Sequence, residues 1–499
     1  MYKYLLGIDN GGTLIKAAIY DMRGNEIAVS CRKTELLMPY PGFTERNMNE
    51  MWKANVKAIR EVVEKSGVNP KDISGVATTG HGNGMYLIGY DGKPAYNGII
   101  STDSRANSYI DKWRKEGVFD EILPITMQSI WAGQPVSLLA WFRDNNKEVL
   151  ERTKYIFMCK DFIRYILTGE AYAEITDISG SNLMNIRDVK YDLDLLKIFG
   201  LENIMSKLPP IKYSTEVCGY ITDEVAELTG LEEGIPVAGG LFDIDASAIA
   251  TGITEENQLC LVAGTWSINE YISKKPVIQK DLFMTSLYCM EGHWLITEAS
   301  PTSANNLEWF VGQFIDEIDK GGKSSYEYCN ELVESTTPEE SNIVFLPFLF
   351  GSNVGLDAKS AFIGINGWHS KAHILRALYE GVVYSHRYHI EKLLELREKP
   401  KSIRMAGGVV KSKVWIQMFA DILQTPIEVT TSTELGALGA AICAGVAGDA
   451  FKSFDEAADS MVNIGYVCNP NELKKEVYDK KYKLYLETIK SLSSLWSKF

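Results

Sequence analysis

The pattern that most constrains this chain is a strand, a glycine turn and a second strand, met twice. It occurs as "LLGIDNGGTLIKAAIYD" at residues 5–21 and again as "LCLVAGTWSINEYI" at residues 259–272. Residues 4–9 and 14–20 carry the period-two alternation of strands, with Ile15, Ala17 and Ile19 on one side. The Gly11–Gly12 pair between them predicts a tight hairpin in which glycine supplies a positive φ. G-x-x-x-x-G-K-[ST] and G-x-G-x-x-G are both absent, so the turn is neither a Walker loop nor a dinucleotide fingerprint. Successive backbone amides with little side-chain bulk above them still make an anion-binding concavity, and a hydroxyl adds a donor. Gly11, Gly12 and Thr13 fit this in the first half, Gly264 and Thr265 in the second. Two such turns facing each other would hold a polyphosphate from both sides. Asp9, at a strand end, could hold the waters of a bridging Mg²⁺, and Lys16 could neutralise charge nearby. The plain alternative is a well-made hairpin turn and nothing more.

At 499 residues the chain is too long for one ordinary core. The repeated hairpin divides it into two domains of one architecture, residues 1–246 and 247–499, with the boundary region near 245–255. Residues 47–66 show helical periodicity through Met51, Val56, Ile59 and Val63, and further helices are expected at 371–398, 412–424 and 434–447. A net charge of −14 argues against a nucleic-acid partner, which needs clustered Lys and Arg. No apolar stretch reaches the length of a membrane span. Eight cysteines without C-x-x-C spacing and a start that runs straight into a strand suggest a reduced cytoplasmic protein. His386 and His389 share a helix face, where a core or surface role outweighs metal binding. Monomer and homodimer stay open.

Residues 406–424, "AGGVVKSKVWIQMFADILQ", resemble the adenosine-binding stretch of the FGGY carbohydrate kinases. That stretch has the form G-G-x-x-x-S-x-x-W-x-Q-x-x-A-D, filled here by Gly407, Gly408, Ser412, Trp415, Gln417, Ala420 and Asp421. "STDSRA" (101–106) resembles the family's sugar-loop segment, and "KDFIRYILTGE", "TDISGSN" and "ELGALGAAICAGVAGD" resemble others in the right order. Three segments depart from the common pattern. Ser137 stands where the family expects Lys, "GSNVG" (351–355) replaces G-E-R-T-P, and "HGNG" (81–84) replaces Q-M-H-G. "GLFD", "EASPTSANNLEWF" and "FLFGSN" look most like the L-xylulose kinase branch.

The resemblance implies an α/β fold of the actin/hexokinase/Hsp70-like (ribonuclease H-like) class, two domains with an interdomain cleft. It implies ATP and Mg²⁺, and phosphoryl transfer to a small-molecule pentulose, L-xylulose or 3-keto-L-gulonate. Alternatives are another ketopentose, a tetritol such as erythritol, or a non-catalytic sugar-sensing regulator. Transfer to a hydroxyl needs a carboxylate to receive the proton. Counting forward from the Gly–Gly pair in "VAGGLFDIDASAIATG" favours Asp243, and counting back from Gly252 favours Asp245. The strand fixes where the loop begins, so Asp243 is taken as base and, with Asp9, as a metal contact. Asp245 then reads as a helix N-cap. Gly11, Gly12, Thr13, Lys16, Gly264, Thr265, Gly407, Gly408 and Ser412 are the expected ATP contacts. Asp103, Arg105, His81 and Asn83 are the expected sugar contacts, although His81 could cap a turn and Arg105 could pair with a local carboxylate. Trp309 reads as core rather than as a sugar-stacking face.

Overall fold

The computed structural model describes residues 3–352, 354 and 358–498, which form two compact units, each drawn from three segments of chain. The first comprises residues up to 254 together with 272–296 and 434–463, and the second comprises 255–271, 297–433 and the residues from 464 on. Asn353 and Gly355 of "GSNVG" lie outside the described residues.

In the first unit Tyr4–Asn10 and Leu14–Asp21 are antiparallel neighbours, and Glu26–Lys33 continues the meander. On the other side Tyr4–Asn10 pairs in parallel with Ile73–Gly80, which in turn pairs in parallel with Leu241–Phe242. Ile73–Gly80 is buried along its whole length, as a strand covered on both faces must be. The helix Leu435–Ala447 covers this part of the sheet at very short range. A Cβ on Gly7 would stand 1.8 Å from the Ala437 carbonyl oxygen, and one on Gly75 would stand 2.7 Å from that of Ala444. The helix Met48–Ser66 starts where Asn47 accepts hydrogen bonds from the Asn49 and Glu50 amides, and it ends at Gly67 in the left-handed conformation.

The second unit repeats the theme. Leu259–Ala263 is antiparallel to Ser267–Ser273 and parallel to Ile403–Ala406, followed by Ile427–Thr430 and the antiparallel Ile464–Cys468. The helices Lys371–Leu394 and Lys413–Leu423 belong to this unit, the second capped by Ser412, whose side chain accepts from the Trp415 amide. All eight cysteines are free thiols. Among the described residues no helix is long and apolar enough to cross a membrane.

The glycine turns differ from expectation in one respect. None of Gly11, Gly12 and Gly264 takes a left-handed φ. The reversal is spread over residues 11–13 in one hairpin and 264–266 in the other, so no peptide needs the conformation that a two-residue turn imposes. Glycine serves there by leaving room. A Cβ on Gly12 or Gly264 would find no atom within 4 Å, and the Gly264 amide closes its turn by donating to the Trp266 carbonyl at 3.2 Å.

Candidate active site

Three parallel strands of the first unit end level with one another, Asn10 opposite Gly80 and Gly80 opposite Phe242. Their carboxyl ends carry Asp9, His81 and Asp243 to one edge of the sheet, the edge at which ligands bind in α/β sheets. Asp243 is the first residue of the helix Asp243–Ala250 and is partly exposed. Protein packed around its carboxyl pushes the pKa up to about 7, Asp9 raises it further, and the Ile244 and Gly82 amides act in the opposite direction. Asp9 is raised to about 6, again chiefly by burial, with Lys16 lowering and Glu434 raising it. Lys16 stands opposite Asp9 in the hairpin register and is paired with Glu434 at 2.5 Å. No group of three or more His, Cys, Asp or Glu side chains suited to a metal occurs among the described residues.

Asp245 is not a helix cap. The helix starts two residues earlier, and Asp245 is fully buried with Oδ1 accepting from the Cys289 amide at 3.1 Å. Asp243 is set by a different path. The Phe242 amide donates to the Thr176 hydroxyl at 2.9 Å, and that hydroxyl donates to Glu174 Oε2 at 2.7 Å. Glu174 is itself paired with the buried Lys160 at 3.0 Å. The Phe242 ring leaves no space for a side chain at position 82, where a Cβ would fall 1.8 Å from it. The His81–Gly84 loop is thereby seated against the peptide that carries Asp243.

The loops holding the expected sugar contacts are clasped together. Met85 donates to the Ile99 carbonyl at 2.9 Å, Gly84 donates to that of Gly133 at 2.8 Å, and Gly133 lies so close to Ser101 that a Cβ would collide with its carbonyl. His81 Nε2 is 2.8 Å from the Tyr86 hydroxyl, and burial followed by the Arg46 charge pushes its pKa down to about 3, so the ring is neutral. Asn83 adopts a left-handed φ of 58°, and its buried Oδ1 has no hydrogen-bond partner among the described residues. Asp103 and Arg105 meet each other at 2.9 Å, and Arg105 also meets Glu45 at 2.7 Å, all three buried. The guanidinium lies over Phe43 at 4.0 Å, and its Nη1 alone lacks a partner among the described residues. Arg105 does pair with local carboxylates, then, but keeps one donor in hand. Ser137, in place of the expected Lys, is buried and donates to the Trp131 carbonyl at 2.9 Å.

In the second unit a cavity of about 640 Å³ is lined by Gly264, Thr265, Gly408 and Ser412, a volume suited to a cofactor-sized ligand. Gly407 lies behind the wall at φ 95°, where a Cβ would strike the Ala263 carbonyl at 2.4 Å. Trp415 stacks on Tyr379 with centroids 4.1 Å apart, and its indole donates to the Tyr379 carbonyl at 3.1 Å. Asn330 Oδ1 accepts from both Ser412 Oγ and the Tyr379 hydroxyl, at 2.8 and 2.9 Å. Tyr326 and Asn330 escaped the sequence reading because they sit on a helix, Ser325–Glu334, that carries no nucleotide motif. His386 bridges Ser303 at 2.9 Å and Asn269 at 2.8 Å, and His389 meets Glu298 at 2.8 Å, so both histidines are core groups of this unit. Trp309 is 38% exposed, edge-on to Phe314, because its helix turns that face outward. It is not core.

The description of the FGGY family of carbohydrate kinases, N-terminal domain, matches residues 4–250, and its C-terminal domain matches residues 259–448. The chain belongs to this family and is a carbohydrate kinase. It is 38% identical over 498 residues to a probable L-xylulose kinase of Pasteurella multocida, covering 99% of each chain. It is 37% identical over 493 residues to the L-xylulose/3-keto-L-gulonate kinase of Escherichia coli, covering 99% of this chain and 98% of the other. The fold matches xylulose kinase from Rhodospirillum rubrum with a TM-score of 0.89 at 24% identity, covering 99% of this chain and 100% of that one. Gluconate kinase from Lactobacillus acidophilus matches with a TM-score of 0.91 at 23% identity, covering 100% of both.

Proposed function

We propose that this kinase transfers the γ-phosphoryl group of ATP to the terminal hydroxyl of L-xylulose or of the related acid 3-keto-L-gulonate. The choice of sugar rests on the names borne by relatives at 37–38% identity over nearly the whole chain. The single observation that favours Asp243 as base is its position at a strand end beside Asp9, with a proton affinity raised to about 7. A carboxylate poised near neutral pH can take the hydroxyl proton as the phosphoryl group moves. Beside the buried, neutral His81, the Asn83 Oδ1 and Arg105 Nη1, without partners among the described residues, supply an acceptor and a donor for a polyol.

Two neighbouring carboxylates, Asp9 and Asp243, outside any group of three or more metal-ligating side chains among the described residues, suit a Mg²⁺ that keeps most of its water. When bound, Mg²⁺ would neutralise phosphate charge. The Gly11–Thr13 amides and the Thr265 amide would donate to phosphate oxygens, and the stacked Trp415–Tyr379 wall would flank the nucleoside. Gly12→Val and Gly264→Val should both fold, since each new side chain enters open space. Each should raise KM for ATP by about tenfold or more, with KM for sugar nearly unchanged, because the loss of about 1.4 kcal/mol falls on phosphate contacts. Steady-state kinetics with a circular-dichroism control checks this.

The substrate is tested by kcat/KM over L-xylulose, 3-keto-L-gulonate, D-xylulose, L-ribulose, D-ribulose, glycerol and erythritol. One of the first two should lead. A site that hydrogen-bonds a hydroxyl can reject a substrate lacking it by about 10⁴-fold. Best activity on D-xylulose or a tetritol would overturn the sugar and leave the kinase class standing.

A further inference from the structure

A second cavity, of about 270 Å³, lies in the first unit and is lined by Lys33, Thr34, Arg46, Asn47 and Lys57 among others. Arg46 is 1% exposed, and among the described residues it has no carboxylate within ion-pairing distance and its Nε and Nη1 have no hydrogen-bond partner. A buried guanidinium without a counter-ion is costly. The Gly11 and Gly12 carbonyls and the Tyr86 hydroxyl supply hydrogen-bond partners but no counter-charge. His81 is neutral, and burial pushes the Cys159 thiol up to about 12 and the Tyr86 phenol higher still, so none of them carries negative charge. The Arg46 Cα also directly precedes the N-terminus of the Met48–Ser66 helix, an end that favours anions over cations.

The rest of the lining has the same bias. Thr34 Oγ1 is buried with no partner among the described residues. Glu50 is engaged by Lys53 at 2.8 Å, and Arg32 by Glu61 outside the cavity. Lys33 and Lys57 have no ion pair among the described residues, and Glu35 is the one lining carboxylate left against them. In a chain of net charge −14, such a concentration of unpaired cations is unusual.

We propose that this cavity binds a small oxyanion of the phosphate or phosphate-monoester class, with Arg46 as its buried counter-ion and Lys33 and Lys57 at its mouth. Its volume lies below the range of about 300–1,000 Å³ typical of cofactor pockets, so a nucleotide is too large. The site goes beyond the kinase reading, because no expected sugar or ATP contact lines it and it shares no lining residue with the 640 Å³ cavity. It also touches the first glycine turn. Arg46 Nη2 donates to the Gly11 carbonyl at 2.6 Å and to that of Gly12, and the Thr34 amide donates to the Thr13 carbonyl at 3.1 Å. An anion that engages Arg46 and Thr34 therefore acts on the carbonyls of the Gly11–Thr13 turn.

The test is thermal unfolding of the full chain titrated with inorganic phosphate or ribose 5-phosphate at constant ionic strength, with saturating ADP so that the nucleotide site is filled. Wild type should show a saturable rise in Tm, and the stronger of the two ligands identifies free phosphate or a sugar phosphate as the source. The exposed double variant Lys33→Glu/Lys57→Glu should fold normally and lose at least tenfold in apparent affinity, as should Thr34→Val to a smaller degree. No saturable rise, or an equal rise in the double variant, overturns the site. KM for ATP should change at least twofold on saturation in wild type and not in the double variant. Binding with no such change overturns the link to the turn.

Discussion

Replacing Asp243 by Asn is expected to lower kcat by about 10²–10⁴-fold, the range over which a positioned general base acts. KM for ATP and for sugar should change little, since Asn keeps the shape and the contacts at the strand end. The pH profile carries the same information. In wild type, kcat/KM should rise along a limb centred near pH 7 as Asp243 loses its proton, with Asp9 titrating near 6. The two carboxyls interact, so the limb reports apparent values of the pair. In Asp243→Asn the limb near 7 should vanish. Stability should change in the opposite sense. A carboxyl whose folded-state pKa is raised from 3.8 to about 7 contributes stability below about pH 4 that is lost as pH rises through 7. Asp243→Asn should thus melt with less dependence on pH between 4 and 8. Asp245→Asn is the informative comparison. Its buried carboxylate holds the Cys289 amide, so the expected loss is in Tm, by the roughly 1–3 kcal/mol of a disturbed buried hydrogen bond. An inactive Asp245→Asn beside an active Asp243→Asn would sink the assignment of the base.

Arg105→Met should be the most destabilising single change in the acceptor loops, by about 3–5 kcal/mol in denaturant unfolding. Arg105 binds Asp103 through Nε and Nη2 and reaches Glu45 with Nη2, and removing it leaves two buried carboxylates facing each other. Asp103 in turn accepts from the Thr44 amide at 2.7 Å, and Glu45 from Tyr96 and Asn97, so the disturbance spreads to three segments. Arg105→Lys keeps the charge but not the planar fork, and should recover part of the stability and little of the sugar affinity. Wild-type stability in Arg105→Met would mean that the trio does not hold the loops.

Much of this molecule is readable residue by residue. The strand at residues 14–20 and the helices of residues 47–66 and 412–424 each depend on neighbours within a few positions, and the folded chain keeps them, although Ala18 and Tyr20 are buried along with Ile15, Ala17 and Ile19. Asp243 at the end of its strand was legible for the same reason. The periodicity of 47–66 misled at one point. Val56 is only partly buried, while Asn55 takes the inner face because its amide donates to Asn10 Oδ1 at 2.8 Å. Glycine was correctly seen as necessary in the hairpins but for a conformation that the turns do not use.

The sequence by itself determined the elements, the order of the motifs and the carboxylate at the strand end, because propensity, capping and alternation act over a few residues. Tertiary structure alone decided which charges have partners. Lys16 finds Glu434, Arg105 finds Glu45, Asp245 finds Cys289, and Arg46 finds no carboxylate among the described residues. Tertiary structure also drew residues 272–296 and 434–463 into the first unit. Partners of this kind lie tens to hundreds of positions apart, as Tyr20 and the Glu434 carbonyl do at a separation of 414. What brings them together is burial of the whole sheet and its covering helices, and burial in turn makes a missing counter-ion costly.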